Sequence, residues 1–300
     1  MGRVAIVTDS ASDMDPARAA SLGISIVPLL VSFGNDTYSA GLDMDREQFW
    51  AKVTTPGTPI ATTAACSPGT FQIAYQKAFD EGADAIVSVH VADALSGTLK
   101  AARVAKQSFG DREIHLVDSQ SASMGEGMLA ELGVAMANAG ASAGDIAATL
   151  ERRRADLQVY LALETLEYLK RGGRISGAQA AIGTLLSVKP IIEIKDSKVE
   201  TTDRVRTRGK ARERVIELFA VRPMERLSVL HTTNADVESF AAALTARIPG
   251  GIDPSKVTID LVGPSVGPHL GPGCVGGVAL YTEDSRPEES RPEESRPPNA

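Results

Sequence analysis

The chain has 300 residues, enough for two domains; 43% are hydrophobic and only 4% aromatic, so a sizeable core must be filled mainly by aliphatic side chains. A formal net charge of -7 argues against general affinity for nucleic acid or an anionic membrane surface, although it leaves room for a local basic patch. Two cysteines, Cys66 and Cys274, without C-x-x-C spacing argue against a disulfide framework and a zinc site, and the absence of a signal-like start or a bilayer-length apolar run makes a soluble cytoplasmic protein the expectation.

The first half alternates strand and helix signals. Segment 4–10, "VAIVTDS", is a short apolar run closed by turn residues. Asp15, Pro16 and Gly23 then mark the cap, first position and stop of a helix. Segment 24–34, "ISIVPLLVSFG", is strand-like but interrupted by Pro28. Ser67 and Pro68 open a helix through "SPGTFQIAYQKAFDEG", followed by the strand "ADAIVSVHV", the helix "LSGTLKAARVAKQSFG" and the strand "REIHLVDSQ". Strands separated by helices of this length imply right-handed crossovers and a parallel sheet.

Segment 124–154 reads as helical. Beyond it the pattern changes: "QVYLALETLEYLKRGGRIS" leads into an Ala/Leu-rich helix, "GAQAAIGTLLS", at 177–187. Two short strands follow in 190–207, joined by the turn Asp196-Ser197, then strands at "RLSVLHTT" and "VTIDLVG" and helices near 208–220 and 235–247. The predicted architecture is two-domain α/β: residues 1–155 an N-terminal domain on a parallel sheet, 156–283 a C-terminal α/β domain with a mixed or antiparallel sheet. The repeat Ser-Arg-Pro-Glu-Glu in the last stretch offers almost no apolar surface, so 284–300 is read as a disordered tail.

The segment "GPSVGPHLGPGCVGG", 263–277, fits both the nucleophile-elbow pattern around Ser265 and a G-x-G-x-x-G fingerprint. The elbow needs a helix directly after the serine, and Pro268 and a second Gly-Pro pair oppose one. The fingerprint needs an early βαβ unit, whereas this loop precedes the last strand. What remains is a glycine-rich turn that carries His269, with glycines that permit close approach to a bound group.

"ALSGTLKAA" places Ser96, Gly97 and Thr98 at a helix start, a position that suits an anion but equally an ordinary cap. "IATTAACSPG" puts Thr62 and Thr63 one β-α unit earlier, so in a parallel sheet both loops are expected at the same carboxyl edge. "TDSASD" and "LVDSQSASMGEG" close two further strands in the same way, the first read as an Asx turn plus cap. Arg171 suits a helix C-terminus at Gly172, whereas Arg174, beyond the break, is placed to fix a carboxylate or phosphate. Arg204, Arg206 and Arg208 share strand parity and form a basic patch, read as a solvated face or a docking face for an acidic partner. His90 and His115 are read as core or sheet-edge residues, and no cluster has metal-ligand spacing.

Taken together, "VTDSASD", "TTAACSPGTF", "LSGTLKAA", "LVDSQSASMGEG", "LEYLKRGGRIS", "VKPII", "DRVRTRGKA" and "HLGPG" resemble the DegV family of lipid-binding proteins over about residues 3–283. The resemblance implies a long-chain fatty acid, such as palmitate, in an apolar tunnel, its carboxylate held by Thr63 and Ser96 with Arg174 and His269 completing the polar end and Thr62 and Gly97 beside them. It implies no catalytic residue, metal or cofactor. It further implies that a separate ATP-binding fatty acid kinase subunit phosphorylates the presented carboxylate for phospholipid synthesis, with Arg204, Arg206 and Arg208 as candidate docking residues. Where the family has Thr-Ser-Gln-Pro-Ser, this chain keeps Thr63 and Ser67 but has Ala64, Ala65 and Cys66 between them. Two further readings stay open: a serine hydrolase using Ser265 and His269, and a module binding a phosphorylated metabolite.

Overall fold

A computed structural model describes residues 2–175 and 188–285. The helix expected at 177–187 and residues 286–300 of the tail lie outside the described residues. Asp284 and Ser285, also assigned to the tail, belong to a 3-10 turn at Glu283–Ser285.

Four strands form an all-parallel sheet: β1 (Val4–Asp9), β2 (Ile24–Val27), β6 (Ala85–His90) and β7 (Glu113–Asp118), in the order β2-β1-β6-β7. β6 is buried along its whole length, as a strand covered on both faces must be. Its alternate residues Val87 and Val89 pack toward α5 (Met124–Asn138) and α6 (Ala143–Arg153), while Ile86 packs toward α3 (Pro68–Asp80) and α4 (Thr98–Lys106). Local chemistry sets the helix ends. Asp15 Oδ1 accepts from Arg18 N at 3.0 Å to open α1 (Pro16–Leu22), and Gly23 ends it at φ 70°. The helical stretch 124–154 is two helices, separated at Gly140 with φ 86°. His115 lies on edge strand β7 beside Glu113, and His90 is fully buried.

Pro28 divides the expected strand at 24–34 into two that join different sheets. Lacking an N–H, it cannot continue the ladder. Beyond it, β3 (Leu30–Phe33) pairs antiparallel with β4 (Asp36–Ser39) and β5 (Ala61–Ala64). Thr63 is therefore not on the parallel sheet, as the β-α spacing implied. It sits on β5, opposite Val31. α2 (Arg46–Thr54) follows this hairpin.

The second sheet runs β10-β9-β8-β13-β11-β12, built from β8 (Leu157–Ala162), β9 (Lys189–Lys195), β10 (Lys198–Val205), β11 (Met224–His231), β12 (Val257–Leu261) and β13 (Val275–Tyr281). Only β11 and β12 pair in parallel, so the sheet is mixed. Asp196 and Ser197, at φ 49° and 63°, make the tight β9–β10 turn, a left-handed geometry suited to two-residue hairpins. One face packs on α8 (Arg208–Phe219) and α9 (Val237–Thr245) through Ile191, Leu227, Phe219 and Phe240. The other presents Leu161, Ile192, Leu230 and Val278 toward Met124 and Met128 of α5. The parallel sheet thus draws on residues 4–118 and the mixed sheet on 157–281. No helix among the described residues is long and apolar enough to cross a membrane.

Candidate binding site

Between the carboxyl edge of the parallel sheet and the α5-facing side of the mixed sheet lies a cavity. It encloses about 720 Å³ of atom-free space, its opening included. The mixed sheet supplies an aliphatic wall, with Val159 and Leu161 of β8, Ile192 and Ile194 of β9, and Val199 and Leu230. These residues share a face because alternate strand positions point the same way. The loops after β1, β2, β6 and β7 supply the opposite wall through Ala11, Leu29, Val91 and Ala122. β1 and β6 flank the point at which the strand order reverses, where ligands of such sheets sit.

Asp9, fully buried, holds that point in shape. Its carboxylate accepts from Ala11 N at 2.9 Å and Val91 N at 3.3 Å, and pairs with His90 Nδ1 at 3.1 Å. Glu126 accepts beside it from Thr8 Oγ1 at 2.6 Å, and burial followed by the Asp9 charge pushes its pKa well up.

Thr63, Ser96, Arg174 and His269 all line this cavity. Thr63 Oγ1 and His269 Nε2 are 2.9 Å apart. Arg174 donates from Nε to Leu95 O at 3.0 Å and from Nη1 to Gly172 O at 2.6 Å, which anchors the guanidinium next to Ser96. Among the described residues no carboxylate forms an ion pair with Arg174. Ser96 Oγ is 2.8 Å from Thr98 Oγ1 and accepts from Thr98 N at 3.3 Å. Four side chains remote in sequence thus form one polar rim on a cavity whose remaining lining is aliphatic apart from Ser123 and Ser265.

His269 is neutral at pH 7. Burial, and secondarily the Arg174 charge, lowers its pKa from 6.5 to about 4. Its helix, α10 (Gly267–Leu270), corrects the expectation that no helix follows Ser265, because Pro268 at the start of a helix needs no hydrogen bond to its nitrogen. The first half of the chain holds the preceding loop: Trp50 Nε1 donates to Val262 O at 2.7 Å, and Gly263 N donates to Asp13 Oδ1 at 2.8 Å.

Two residues expected at the polar end lie elsewhere. Thr62 alternates with Thr63 on β5 and faces away, exposed. Gly97 is an exposed cap of α4 beside Ala65, and does not line the cavity. The glycines after His269 serve packing rather than a ligand: a Cβ on Gly271 would fall 2.2 Å from the Tyr168 ring, and one on Gly276 2.0 Å from Tyr160 O. Shared strand parity also fails for the arginine patch. β10 ends at Val205, Arg206 is in the connection, and Arg208 starts α8. Arg208 Nε is bonded to Glu164 Oε1 at 2.5 Å, which leaves Arg204 and Arg206 without an ion pair among the described residues.

Ser265 lines the cavity but is not positioned as a nucleophile. Its hydroxyl is 2.7 Å from Ser10 Oγ, which accepts from Leu29 N at 2.8 Å, and the His269 Nε2 partner is Thr63. Sequence reasoning missed Gly172. A Cβ there would lie 2.2 Å from His269 Nδ1, so the end of α7 (Glu167–Arg171) closes directly on the histidine. Gly172 ends α7, as its sequence reading as a helix stop implies, but that reading carries no sign of the contact with His269.

The profile of a family described as "Uncharacterised protein, DegV family" matches residues 3–282. A DegV domain-containing protein of Deinococcus radiodurans is 35% identical over 281 residues, covering 92% of this chain and 98% of the relative. A fatty-acid-binding DegV family protein of Thermus thermophilus superposes with a TM-score of 0.84 at 35% identity, over 93% of this chain and 100% of that one. DegV of Bacillus subtilis, a fatty acid binding protein, superposes with a TM-score of 0.81 at 29% identity, over 93% and 99%.

Proposed function

Because this chain belongs to the DegV family, we propose that it is a non-catalytic, cytoplasmic lipid-binding subunit. It binds a long-chain fatty acid in the cavity between its sheets, its two domains meeting near residue 155. It presents the carboxylate to a separate ATP-dependent kinase subunit, which forms an acyl-phosphate for phospholipid synthesis. The observation that carries the reading is the polar rim: Thr63, Ser96, His269 and an Arg174 without a carboxylate partner among the described residues border a wall of Val, Leu and Ile.

The chemistry of each end supports it. Each methylene leaving water for that wall contributes about 0.8 kcal/mol, so a dozen contribute roughly 10 kcal/mol before the chain is ordered. A buried carboxylate is costly unless its charge and lone pairs are matched. Arg174 supplies the charge, and the Thr63 and Ser96 hydroxyls supply donors. Neutral His269 orients Thr63 and, with a carboxylate bound, is drawn toward protonation by the opposite charge. Acidic partner surfaces are taken by the exposed side of Arg204 and Arg206.

The test is extraction of the purified protein under denaturing conditions, with mass spectrometry of the lipid fraction. A stoichiometric fatty acid is expected. Ser96→Ala and Arg174→Ala are each expected to weaken fatty-acid binding about tenfold and to cut acyl-phosphate formation with ATP and the kinase subunit. Normal binding and transfer in both variants would remove the site from consideration. An extract without lipid, with phosphate analogues raising Tm, would replace the reading with that of a phosphorylated-metabolite module. Hydrolysis of a p-nitrophenyl ester is expected to be no faster with wild type than with Ser265→Ala.

A further inference from the structure

The cavity contains a polar group that the carboxylate rim does not use. Ser123 precedes α5 and lines the cavity, yet it is only 3% exposed, and apart from the carboxyl of Asp13 its Oγ has no hydrogen-bond partner among the described residues. It does not cap the fifteen-residue helix it introduces. Its backbone, at φ 56° and ψ -145°, occupies a region that suits glycine and strains serine. Ser123 N donates to Ala11 O at 2.7 Å, which helps hold that conformation. Its neighbours on the cavity wall include the small residues Ala11 and Ala122.

The Ser123 hydroxyl interacts with the carboxyl of Asp13, 3% exposed, whose Oδ1 also accepts from Gly263 N. Burial dominates the state of that carboxyl, with Arg46 and the Ser123 hydroxyl acting against it. A serine hydroxyl has one proton and two lone pairs. With its proton turned toward Asp13, Ser123 offers a lone pair to the cavity. A methylene leaves that acceptor unmatched, a ketone brings only another acceptor, and a carboxylate is repelled by Asp13. A hydroxyl donates and fits.

We propose that Ser123 forms a second polar subsite in the cavity wall, one that accepts a hydrogen bond from a hydroxyl carried on the acyl chain. This inference rests on the fatty-acid reading and specifies a ligand class within it: hydroxylated long-chain acids. The position of the hydroxyl along the chain is set by the path from the Arg174 rim to Ser123.

Delipidated protein is titrated with stearate, with hydroxystearates whose hydroxyl is moved along the chain, and with the matching ketostearates. Wild type is expected to bind at least one hydroxy isomer more tightly than stearate and its keto counterpart. Ser123→Ala is expected to lower that preference about fivefold, the effect of one hydrogen bond. Ser123→Gly is expected to do the same while folding at least as well, because its backbone angles suit glycine. The proposal is overturned if wild type prefers no isomer, or if its preference survives in both variants. If stearate and all its analogues fail to bind, the fatty-acid reading fails and takes this subsite with it; stearate binding without a hydroxyl preference overturns the subsite alone.

Discussion

Gly172→Ala is expected to weaken fatty-acid binding by roughly tenfold to a hundredfold while leaving the protein folded. The new Cβ would stand 2.2 Å from His269 Nδ1 and 2.8 Å from Cε1, inside any tolerable contact. The backbone of Gly172, at φ -72°, accepts alanine without strain, so the contact is resolved by the imidazole moving. Overpacking of this kind costs about 1–3 kcal/mol in stability. The larger effect falls on binding, because the displaced ring releases Thr63 and crowds the carboxylate position. Gly173→Ala is the control. Its φ of 67° makes alanine strained, but no atom lies within 4 Å of the added Cβ. It is expected to lose about 1 kcal/mol of stability and to retain affinity. Titration with stearate and thermal unfolding of both variants separate the two effects; equal affinity losses at 172 and 173 would remove His269 from the account.

Asp13→Asn is expected to stabilise the protein above neutral pH by up to roughly 3 kcal/mol, with the gain disappearing on acidification. Burial raises the Asp13 carboxyl from 3.8 to about 6. A folded pKa above the unfolded one means that the favourable neutral form contributes fully below 3.8 and that its contribution is lost as pH rises through about 6. Asparagine keeps an oxygen for Gly263 N and carries no charge at any pH. The advantage of the variant should therefore be largest near pH 8 and close to zero near pH 4. His269 acts in the opposite sense: its folded pKa of about 4 lies below 6.5, so its contribution is present above 6.5 and lost as pH falls toward 4. The difference between variant and parent in urea unfolding isolates Asp13 from that opposing trend. A constant difference across the range would show that burial does not raise the Asp13 carboxyl.

Much of the first domain was legible because its signals are local. Asp15, Pro16 and Gly23 mark a helix through cap, ring and left-handed turn, and each acts within a few residues. The continuous apolar run at β6 reads directly as a strand covered on both faces. Thr63 was harder to place. Its spacing fitted a βα unit, but Pro28 sends the next strand into another sheet, and β5 follows β3 there. Thr62 and Thr63 look alike in the sequence; only the face of β5 separates an exposed hydroxyl from one bonded to His269. The arginine patch misled for a related reason. Parity holds only while a strand continues, and β10 stops before Arg206.

By itself the sequence determined the α/β class, most helix ends, the β9–β10 turn and, through its ordered motifs, the family. Caps, turns and apolar periodicity are interactions between near neighbours, so the chain carries them explicitly. Only the tertiary structure decided the chemistry of the site. It brought Arg174 against the Leu95 carbonyl, closed Gly172 on His269 and kept that histidine neutral by burial. It also buried the Ser123 hydroxyl in the wall of an oily cavity. Desolvation and the distance between side chains depend on which distant segments meet, and one-dimensional spacing does not encode that.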